Sequence, residues 1–248
     1  MLPNNPIGTP FIELHTVEST NNYAMGLVHE GLARHGTAVF AHEQTRGKGQ
    51  RNRQWLSAKD QNIALSVVVE PAGIAISGSF LLSMCVAVAA HRFVSKHLGD
   101  EVRIKWPNDI YWRDRKAGGI LIENLLQGSS WRFAVAGIGL NINQTEFPQL
   151  ETKAVSFRQV TGNLYQPLFL AKELCVALQE NLQQLNNSAA VAAAYRAALY
   201  KKNERVKLRK DNRVFDATIK DVTLMGELVV QHATEEKFAV GEVEWLLH

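Results

Sequence analysis

The residues best suited to chemistry lie in the segment TRGKGQRNRQW, at positions 45–55. It contains two glycines, no acid and four cations, which are Arg46, Lys48, Arg51 and Arg53. Glycines let backbone N–H groups approach an anion, and the cations supply charge for a phosphate or carboxylate. Because no apolar residue interrupts it before Trp55, the segment is predicted to be mobile until an anion orders it. A solvated basic loop is the alternative for this segment alone.

Two known uses of such a segment are disfavoured. The pattern G-x-x-x-x-G-K-[ST] is absent, so the segment is not a phosphate-binding loop of the Walker type. Its single nearby aromatic residue, Trp55, makes it a poor platform for stacking nucleic-acid bases.

Two further segments carry polar groups next to sharp changes of backbone direction. In KWPNDIYW, Asp109 offers a hard oxygen for Mg²⁺ and Asn108 can hydrogen-bond a phosphate or a ribose, although both could instead serve the backbone of a turn or bulge. In DRKAGGILIEN, Lys116 precedes Gly118 and Gly119, which would let a ligand lie flat against the backbone. A solvated turn lysine is the alternative for Lys116.

Other chemistries are not supported by the residue pattern. In AGIGLNIN, Gly137 and Gly139 resemble a dinucleotide fingerprint, but the third glycine and a following helix are missing. Asn141 and Asn143 are interpreted as polar groups at the end of a strand. The sequence has no H-E-x-x-H motif and no G-x-S-x-G motif, so electrostatic chemistry is favoured over zinc or covalent catalysis.

Length and composition are those of an ordinary globular protein. The chain has 248 residues and a net charge of +3, which is too small to imply a nucleic-acid partner by itself. Its two cysteines, Cys85 and Cys175, lie in apolar helix-like stretches and are expected to be buried thiols. Residues 1–11 do not resemble a signal peptide, and polar residues interrupt the apolar run at 74–90. A soluble cytoplasmic protein that does not use a membrane is therefore predicted.

The elements that must position these residues follow an α+β pattern. Strands are predicted for FIELHTVEST, GTAVFAHEQT and NIALSVVVEP, and an antiparallel meander for the three runs between residues 101 and 143. Helices are predicted from Ser19 or Thr20, at 78–98, at 166–184 and at 189–200. Four or five short strands after residue 202 indicate a small β-barrel. We therefore predict a domain at 1–202, with a mixed sheet packed by helices, and a small β-barrel domain at 203–248.

Taken together and in this order, the segments resemble biotin–protein ligases. The resemblance rests on STN at 19–21, Q-T-x-G-K-G-x-x-x-R-x-W at 44–55, KWPND from 105, KAGGILIE from 116 and GIGLNIN from 137, and on GEV at 241–243. It implies a catalytic domain similar to class II synthetases and a C-terminal barrel similar to SH3 domains. It also implies that biotin and ATP, with Mg²⁺, form biotinyl-5′-AMP. The biotin would then pass to a lysine of a biotin carboxyl carrier protein or domain.

The same resemblance assigns roles to individual residues. The residues implied to be catalytic are Lys116, Lys48, Arg51 and Arg53. The residues implied to bind biotin are Ser19, Thr20, Asn21, Gln44, Gly47, Lys48, Gly49, Lys116, Gly118, Gly119 and Gly137. The residues implied to bind ATP or the adenylate are Arg51, Arg53, Trp55, Asn108 and Asn141, with Asp109 assigned to Mg²⁺.

The sequence departs from this family at several points. Many relatives carry an arginine in place of Gln50 and a glycine in place of Asn52, so the loop has one charge fewer. Too few residues precede the first strand for a DNA-binding domain, so a ligase without DNA binding or repressor activity is expected. Ligation of lipoate, transfer of octanoate and a non-catalytic binding module are the alternatives. A homodimer formed through an edge strand of the meander is possible but not required.

Overall fold

A mixed sheet of seven strands carries most of the chain, and a computed structural model describes residues 5–71, 73–128, 130–147 and 153–246. Its strands are β1 (Phe11–Val17), β2 (Ala38–Gln44), β3 (Ile63–Val69), β4 (Val102–Lys105), β5 (Asp109–Trp112), β6 (Arg115–Gln127) and β7 (Ser130–Leu140). The order is β1-β2-β3-β7-β6-β5-β4; β1 and β2 pair in parallel, and the other neighbours are antiparallel. The predicted α+β class and the meander are confirmed, with KWPND forming a turn that divides its first run into β4 and β5.

Helices cover both faces of this sheet. The α-helices are α1 (Thr20–His29), α2 (Ser79–Leu98), α3 (Phe157–Thr161), α4 (Pro167–Leu182) and α5 (Ser188–Ala197). Helix α1 packs through Ala24 and Val28 on Val39, Val68 and Val135, while α2 and α4 pack on the opposite face. Every residue of β3 is buried because both of its faces are covered, which explains its continuous apolar run.

Helix α2, with the short 3₁₀ turn before it, is long and apolar enough to cross a membrane by length and composition alone. Eleven of its twenty residues are nevertheless buried, and they form part of the central hydrophobic core. The predicted core helix is therefore confirmed. Cys85 and Cys175 are buried as predicted, and desolvation raises the pKa of each thiol to about 12, which suppresses thiolate chemistry.

A second sheet, which is antiparallel, follows these helices. Its strands are β8 (Arg205–Lys210), β9 (Arg213–Val222), β10 (Leu228–Gln231), β11 (Glu235–Phe238) and β12 (Glu244–Trp245), in the order β11-β10-β9-β8-β12. Leu208, Ile219 and Val230 of this sheet join the central core. Trp106 also donates a hydrogen bond of 2.9 Å from Nε1 to the carbonyl oxygen of Gly226. The C-terminal sheet is thus in place beside KWPND, and the domain boundary at residue 202 stays a prediction.

The outer edge of the meander is partly covered. The backbone N–H of Ile104 donates to the carbonyl of Ala198, and the carbonyl of Ile104 accepts from Tyr200, both at 2.8 Å. Because these backbone groups of β4 are already paired, they cannot pair with a second copy of the chain. The predicted homodimer would therefore have to form outside the paired groups of Ile104, and it stays a prediction.

Candidate active site

A cleft of about 490 Å³ lies between the ends of the central strands, the start of α1, the basic loop (residues 45–55) and β12. The predicted site residues that line this cleft are Ser19, Thr20, Asn21, Gln44, Lys48, Gly49, Arg51, Arg53, Trp55, Asn108, Asp109, Lys116, Gly119, Gly137 and Asn141. Segments far apart in the chain therefore meet at one place. Gln50 also lines the cleft.

Two predicted ligand contacts do not line it. A Cβ at Gly118 would lie 2.6 Å from the carbonyl oxygen of Gly139, so this glycine permits β6 to pack closely on β7. A Cβ at Gly47 would collide with the carbonyl oxygen of Trp55 at the neck of the basic loop. Backbone packing accounts for both glycines, and their contact with biotin stays a prediction.

One end of the cleft is buried, polar and held by hydrogen bonds. Gln44 Oε1 accepts from the backbone N–H of Thr20 at 2.8 Å and from its hydroxyl at 3.1 Å. Ser66 Oγ lies 2.6 Å from Asn21 Oδ1, and Asn21 Nδ2 donates to Glu123 Oε2 at 2.8 Å. This region is called the polar end and comprises Ser19, Thr20, Asn21 and Gln44, which line the cleft, and Ser66, which is buried behind them. It is pre-organised for a neutral group with its own donors and acceptors.

Two glycines of β7 keep this part of the cleft open. A Cβ at Gly137 would collide with the side-chain amide of Asn21. A Cβ at Gly139 would collide with the indole ring of Trp55. The absence of side chains at these positions therefore lets Asn21 and Trp55 lie flat against the sheet, as walls of the cleft.

Lys116 and Asp109 form an ion pair on the floor of the cleft. Lys116 Nζ lies 2.7 Å from Asp109 Oδ1, and the two side chains are 25% and 21% exposed. A Cβ at Gly119 would lie 3.3 Å from Lys116 Nζ, so this glycine leaves room for the ammonium group. The pair places a cation, oriented by a carboxylate, at the middle of the cleft.

The two asparagines predicted to contact the nucleotide are partly used by the protein itself. Asn141 Nδ2 lies 3.2 Å from the carbonyl oxygen of Lys116 and 3.3 Å from that of Val155. Asn108 Nδ2 donates to the carbonyl oxygen of Ile120. Both side chains therefore orient the backbone around Lys116, and their contact with a nucleotide stays a prediction.

The basic loop folds back on itself over one side of the cleft. Lys48 and Gln54 form a β-bridge, and Arg51 has a positive φ of 54° at the tip. Lys48 Nζ donates to Glu123 Oε1 at 3.1 Å, and a Cβ at Gly241 would lie 2.9 Å from Arg51 Nη2. The loop therefore links the polar end to the C-terminal sheet. Arg51 and Arg53 of the loop form, with Lys105, a strongly cationic end of the cleft.

Several residues in and around the cleft are not among the site residues predicted from the sequence. Ser66 is the one polar residue of β3 and is fully buried, which is a signal that the sequence did contain. Glu123 pairs with Lys48, and Lys105 begins the KWPND motif. Residues 243–245 were assigned to a separate barrel, yet they line the cleft. No local pattern indicated that this segment returns to the site.

His42 lies in β2, just before the basic loop, and its ring contacts Asp60, which follows the loop in the chain. Its Nδ1 lies 2.7 Å from Asp60 Oδ1, and its Nε2 lies 2.8 Å from Glu13 Oε1. The hydrogen bond to Glu13, which is the largest cause, and the bond and charge of Asp60 raise the pKa of His42 above its ordinary value, although burial opposes them. A raised pKa in the folded state adds stability below the pKa of the unfolded state. That stability is lost as the pH rises through the folded pKa.

We therefore expect His42→Gln to destabilise the protein more at about pH 6 than at about pH 8.5. Because Glu13 and Asp60 are partly exposed, the difference in thermal midpoint should be no more than a few degrees. Differential scanning calorimetry of both proteins at the two pH values measures this difference. Equal destabilisation at both pH values would contradict a charged His42 in this cluster.

Comparison with known proteins supports a single family. Residues 14–142 match the model of the biotin/lipoate A/B protein ligase family. The chain is 33% identical over 164 residues to a bifunctional ligase/repressor BirA from Bacillus spizizenii, a match that covers 65% of this chain and 50% of that protein. It is 36% identical over 132 residues to a biotin–[acetyl-CoA-carboxylase] ligase from Paracoccus denitrificans, covering 52% of this chain and 53% of that protein. The chain thus spans about half the length of these curated relatives.

Solved structures share the fold along nearly the whole chain. Biotin protein ligase from Aquifex aeolicus in complex with biotin and ATP superposes with a TM-score of 0.78 at 22% identity, covering 95% of this chain and 97% of that one. The Leishmania major enzyme in complex with biotinyl-5-AMP gives 0.64 at 25% identity, covering 96% and 99%. Because the family model matches more than half of the chain, the protein belongs to the biotin/lipoate A/B protein ligase family.

Proposed function

We propose that the chain is an ATP-dependent biotin–protein ligase. In this proposal it joins biotin to ATP as biotinyl-5′-AMP with release of pyrophosphate, and then transfers biotin to a lysine of a biotin carboxyl carrier domain. The observation that carries the proposal is the division of one cleft into a neutral polar end and a cationic end, with Lys116 between them. Biotin has the same division, with a neutral ring system at one end and a carboxylate at the other.

The polar end fits the ring system of biotin. Its hydroxyl and amide groups can both donate and accept, as a cyclic urea requires. Because all of them except the half-buried Gln44 are buried, and Thr20, Asn21, Gln44 and Ser66 are already held by hydrogen bonds, they lose little conformational entropy when a ligand binds. The curated relatives that are named as biotin ligases support biotin over lipoate as the ligand.

The cationic end fits the first chemical step. A carboxylate oxygen of biotin must attack the α-phosphorus of ATP while pyrophosphate leaves, and the two reacting groups repel each other. Lys116 at the junction, together with Lys48, Arg51 and Arg53, which line the same cleft, would offset this repulsion and stabilise the charge of the transition state. In the second step the amine of the acceptor lysine attacks the carbonyl carbon of the mixed anhydride, and AMP leaves.

In this proposal Mg²⁺ binds together with ATP, mainly through the phosphate oxygens of the nucleotide. Among the described residues, no group of three side chains could hold a metal by itself. Asp109 has one oxygen paired with Lys116, so it could offer Mg²⁺ at most a share of its carboxylate. Such a site fits an ion that takes its other ligands from phosphate oxygens and water, which is usual for Mg²⁺ with nucleotides. The carrier domain and the cytoplasmic location stay predictions.

A substrate panel tests the proposal. The purified chain is incubated with ATP and Mg²⁺ and with biotin, lipoate or octanoate in turn, and pyrophosphate release is measured. We expect release that depends on biotin. Release with lipoate or octanoate but not biotin would favour the related activity of the same family. Release with none of the three, from a folded sample, would indicate a non-catalytic binding module.

The basic loop is expected to become ordered when the adenylate forms. Most of its described residues are exposed, and the backbone hydrogen bonds of Gly49, Arg53 and Trp55 close only a short turn, so its amides should exchange faster than those of the central sheet in the free protein. Binding of biotin and ATP should slow hydrogen exchange within residues 45–55 by about tenfold or more, because phosphate groups would accept hydrogen bonds there. Hydrogen-exchange mass spectrometry measures this. Equal exchange with and without ligands would contradict a closing loop.

A further inference from the structure

Lys105 is a partly buried cation at the end of β4 whose direct neighbours are aromatic rings. Its Nζ lies 5.2 Å from the centre of the Tyr111 ring and 5.7 Å from that of the Trp245 ring. In the part of the chain that the structure describes, no carboxylate lies within ion-pair distance of this Nζ, whereas Lys48 and Lys116 each have one. Lys105 also lines the cleft.

The charge of this ammonium is incompletely balanced by the protein. Desolvation by burial is the main cause that lowers the pKa of Lys105, and the positive charges of Lys116 and Arg53 lower it further. Asp109 and Glu244 act against this from a distance. The two rings favour the charged form, but a cation–π contact does not neutralise the ion. An anionic ligand in the cleft would neutralise the ammonium group of Lys105.

The position of Lys105 indicates which anion that is. In the β4–β5 hairpin it lies directly opposite Asp109, so it is next to the Lys116–Asp109 pair. Its other neighbour is Trp245, which belongs to the C-terminal strand β12. Lys105 therefore adds a cation to the charged end of the cleft, on its C-terminal side. Of the groups in the reaction, the β- and γ-phosphates carry the highest density of negative charge and most need such a ligand.

We propose that Lys105 binds the β,γ-phosphate chain of the nucleotide and that Trp245, from the C-terminal sheet, positions it. This inference rests on the proposed function, which it extends with a residue for the leaving group. Lys105 would hold the phosphates before the reaction and stabilise the negative charge of pyrophosphate as the bond to the α-phosphorus breaks. Trp245 would act only through Lys105, as one of the two rings that keep the ammonium group in the cleft.

Direct binding of inorganic pyrophosphate, ATP, AMP and biotin tests the inference, measured by titration calorimetry at fixed Mg²⁺. We expect Lys105→Gln to weaken the binding of pyrophosphate and of ATP by about ten- to a hundredfold, because a charge-assisted hydrogen bond is lost. AMP and biotin should change by less than about threefold. Lys105→Arg, which keeps the charge, should retain most of the pyrophosphate affinity. Lys96→Gln, which removes an exposed lysine outside the cleft, is the control for net charge.

A second pair of variants tests the part of Trp245. Trp245→Phe keeps a ring and should bind pyrophosphate nearly as the parent does, whereas Trp245→Leu should weaken it by about three- to tenfold. Thermal midpoints measured in parallel identify a variant that fails to fold. The inference is overturned if Lys105→Gln binds pyrophosphate as tightly as the parent does. It is also overturned if the affinities for AMP and biotin fall by the same factor as the affinity for pyrophosphate. It is also overturned for Trp245 if the Phe and Leu variants behave alike.

The two proposals fail in different ways. If the parent protein releases no pyrophosphate with any acid, the proposed function is wrong, but the direct titration with inorganic pyrophosphate still reports on Lys105. If the parent is a biotin ligase and Lys105→Gln changes KM for ATP and for biotin by the same factor, only the assignment of Lys105 is wrong.

Discussion

Replacement of Lys116 by alanine is expected to slow adenylate formation by about a hundred- to a thousandfold, which is the usual loss when one charge-stabilising group is removed from a transition state. Lys116 is the cation at the middle of the cleft, 2.7 Å from Asp109. Without its Nζ, the approach of biotin's carboxylate to the α-phosphate would lose the charge that offsets their repulsion. The rate of biotin-dependent pyrophosphate release, measured in a single turnover, gives the effect directly.

The fold should survive this change. Asp109 would lose its partner, but its side chain is partly exposed and can be hydrated instead. Lys153→Ala is the matched control, because Lys153 is an exposed lysine whose backbone carbonyl, but not its side chain, bonds to Lys116. That variant should keep the parent rate. A Lys116→Ala protein that keeps the parent rate would remove Lys116 from the active site.

The second large effect is expected at Gly137. Its replacement by alanine would place a methyl group within the van der Waals radius of the Asn21 amide. Asn21 cannot easily move aside, because it is bonded to Ser66 at 2.6 Å and to Glu123 at 2.8 Å. We expect KM for biotin to rise by about ten- to a hundredfold, since one or two buried hydrogen bonds of the polar end would be broken, with KM for ATP little changed.

Another glycine gives a control for this substitution. Gly26 lies in α1, the helix that also contains Asn21, and a Cβ there would meet no atom within 4 Å. Gly26→Ala should therefore stabilise the protein by roughly 0.5–1 kcal/mol and leave both KM values unchanged. If Gly137→Ala raised KM for ATP as much as KM for biotin, the assignment of the polar end to biotin would be wrong.

The elements of the fold were largely predictable because each has a strong local signal. β3 is buried on both faces and reads as a continuous apolar run, and α2 shows its length and its glycine stop at Gly99. The meander was predictable from its short turns. The turn at Trp106–Asn108, which splits β4 from β5, was the harder case, because KWPNDIYW has the composition of one interrupted strand.

The candidate site was predictable where one short motif carries both the residue and its reason. Lys116 and Asp109 come from such motifs, and the structure brings them into contact. Partners that are distant in the chain were not predictable in the same way. Glu123 lies 75 positions from Lys48, and Trp245 reaches Lys105 only through packing of the C-terminal sheet. No local pattern determines such contacts.

The glycines show a second limit on what the sequence can predict about the site. A glycine in a motif indicates that something lies close to the backbone, but it does not say whether that is a ligand or another part of the protein. Gly119 lines the cleft, whereas Gly118 faces Leu140 and the neighbouring strand. The sequence offered no means of separating the two, since they are adjacent and identical.

A single cleft is proposed to hold the biotin ring at its polar end and a newly formed adenylate at its cationic end. The decisive measurement is to mix the protein with biotin, Mg²⁺ and ATP labelled in the α-phosphate, remove free nucleotide by rapid gel filtration, and identify the retained label by mass spectrometry. We predict about one biotinyl-5′-AMP per chain, as expected for one cleft that excludes water from the mixed anhydride. Retention of unreacted ATP alone, or of no labelled compound, would contradict this proposal.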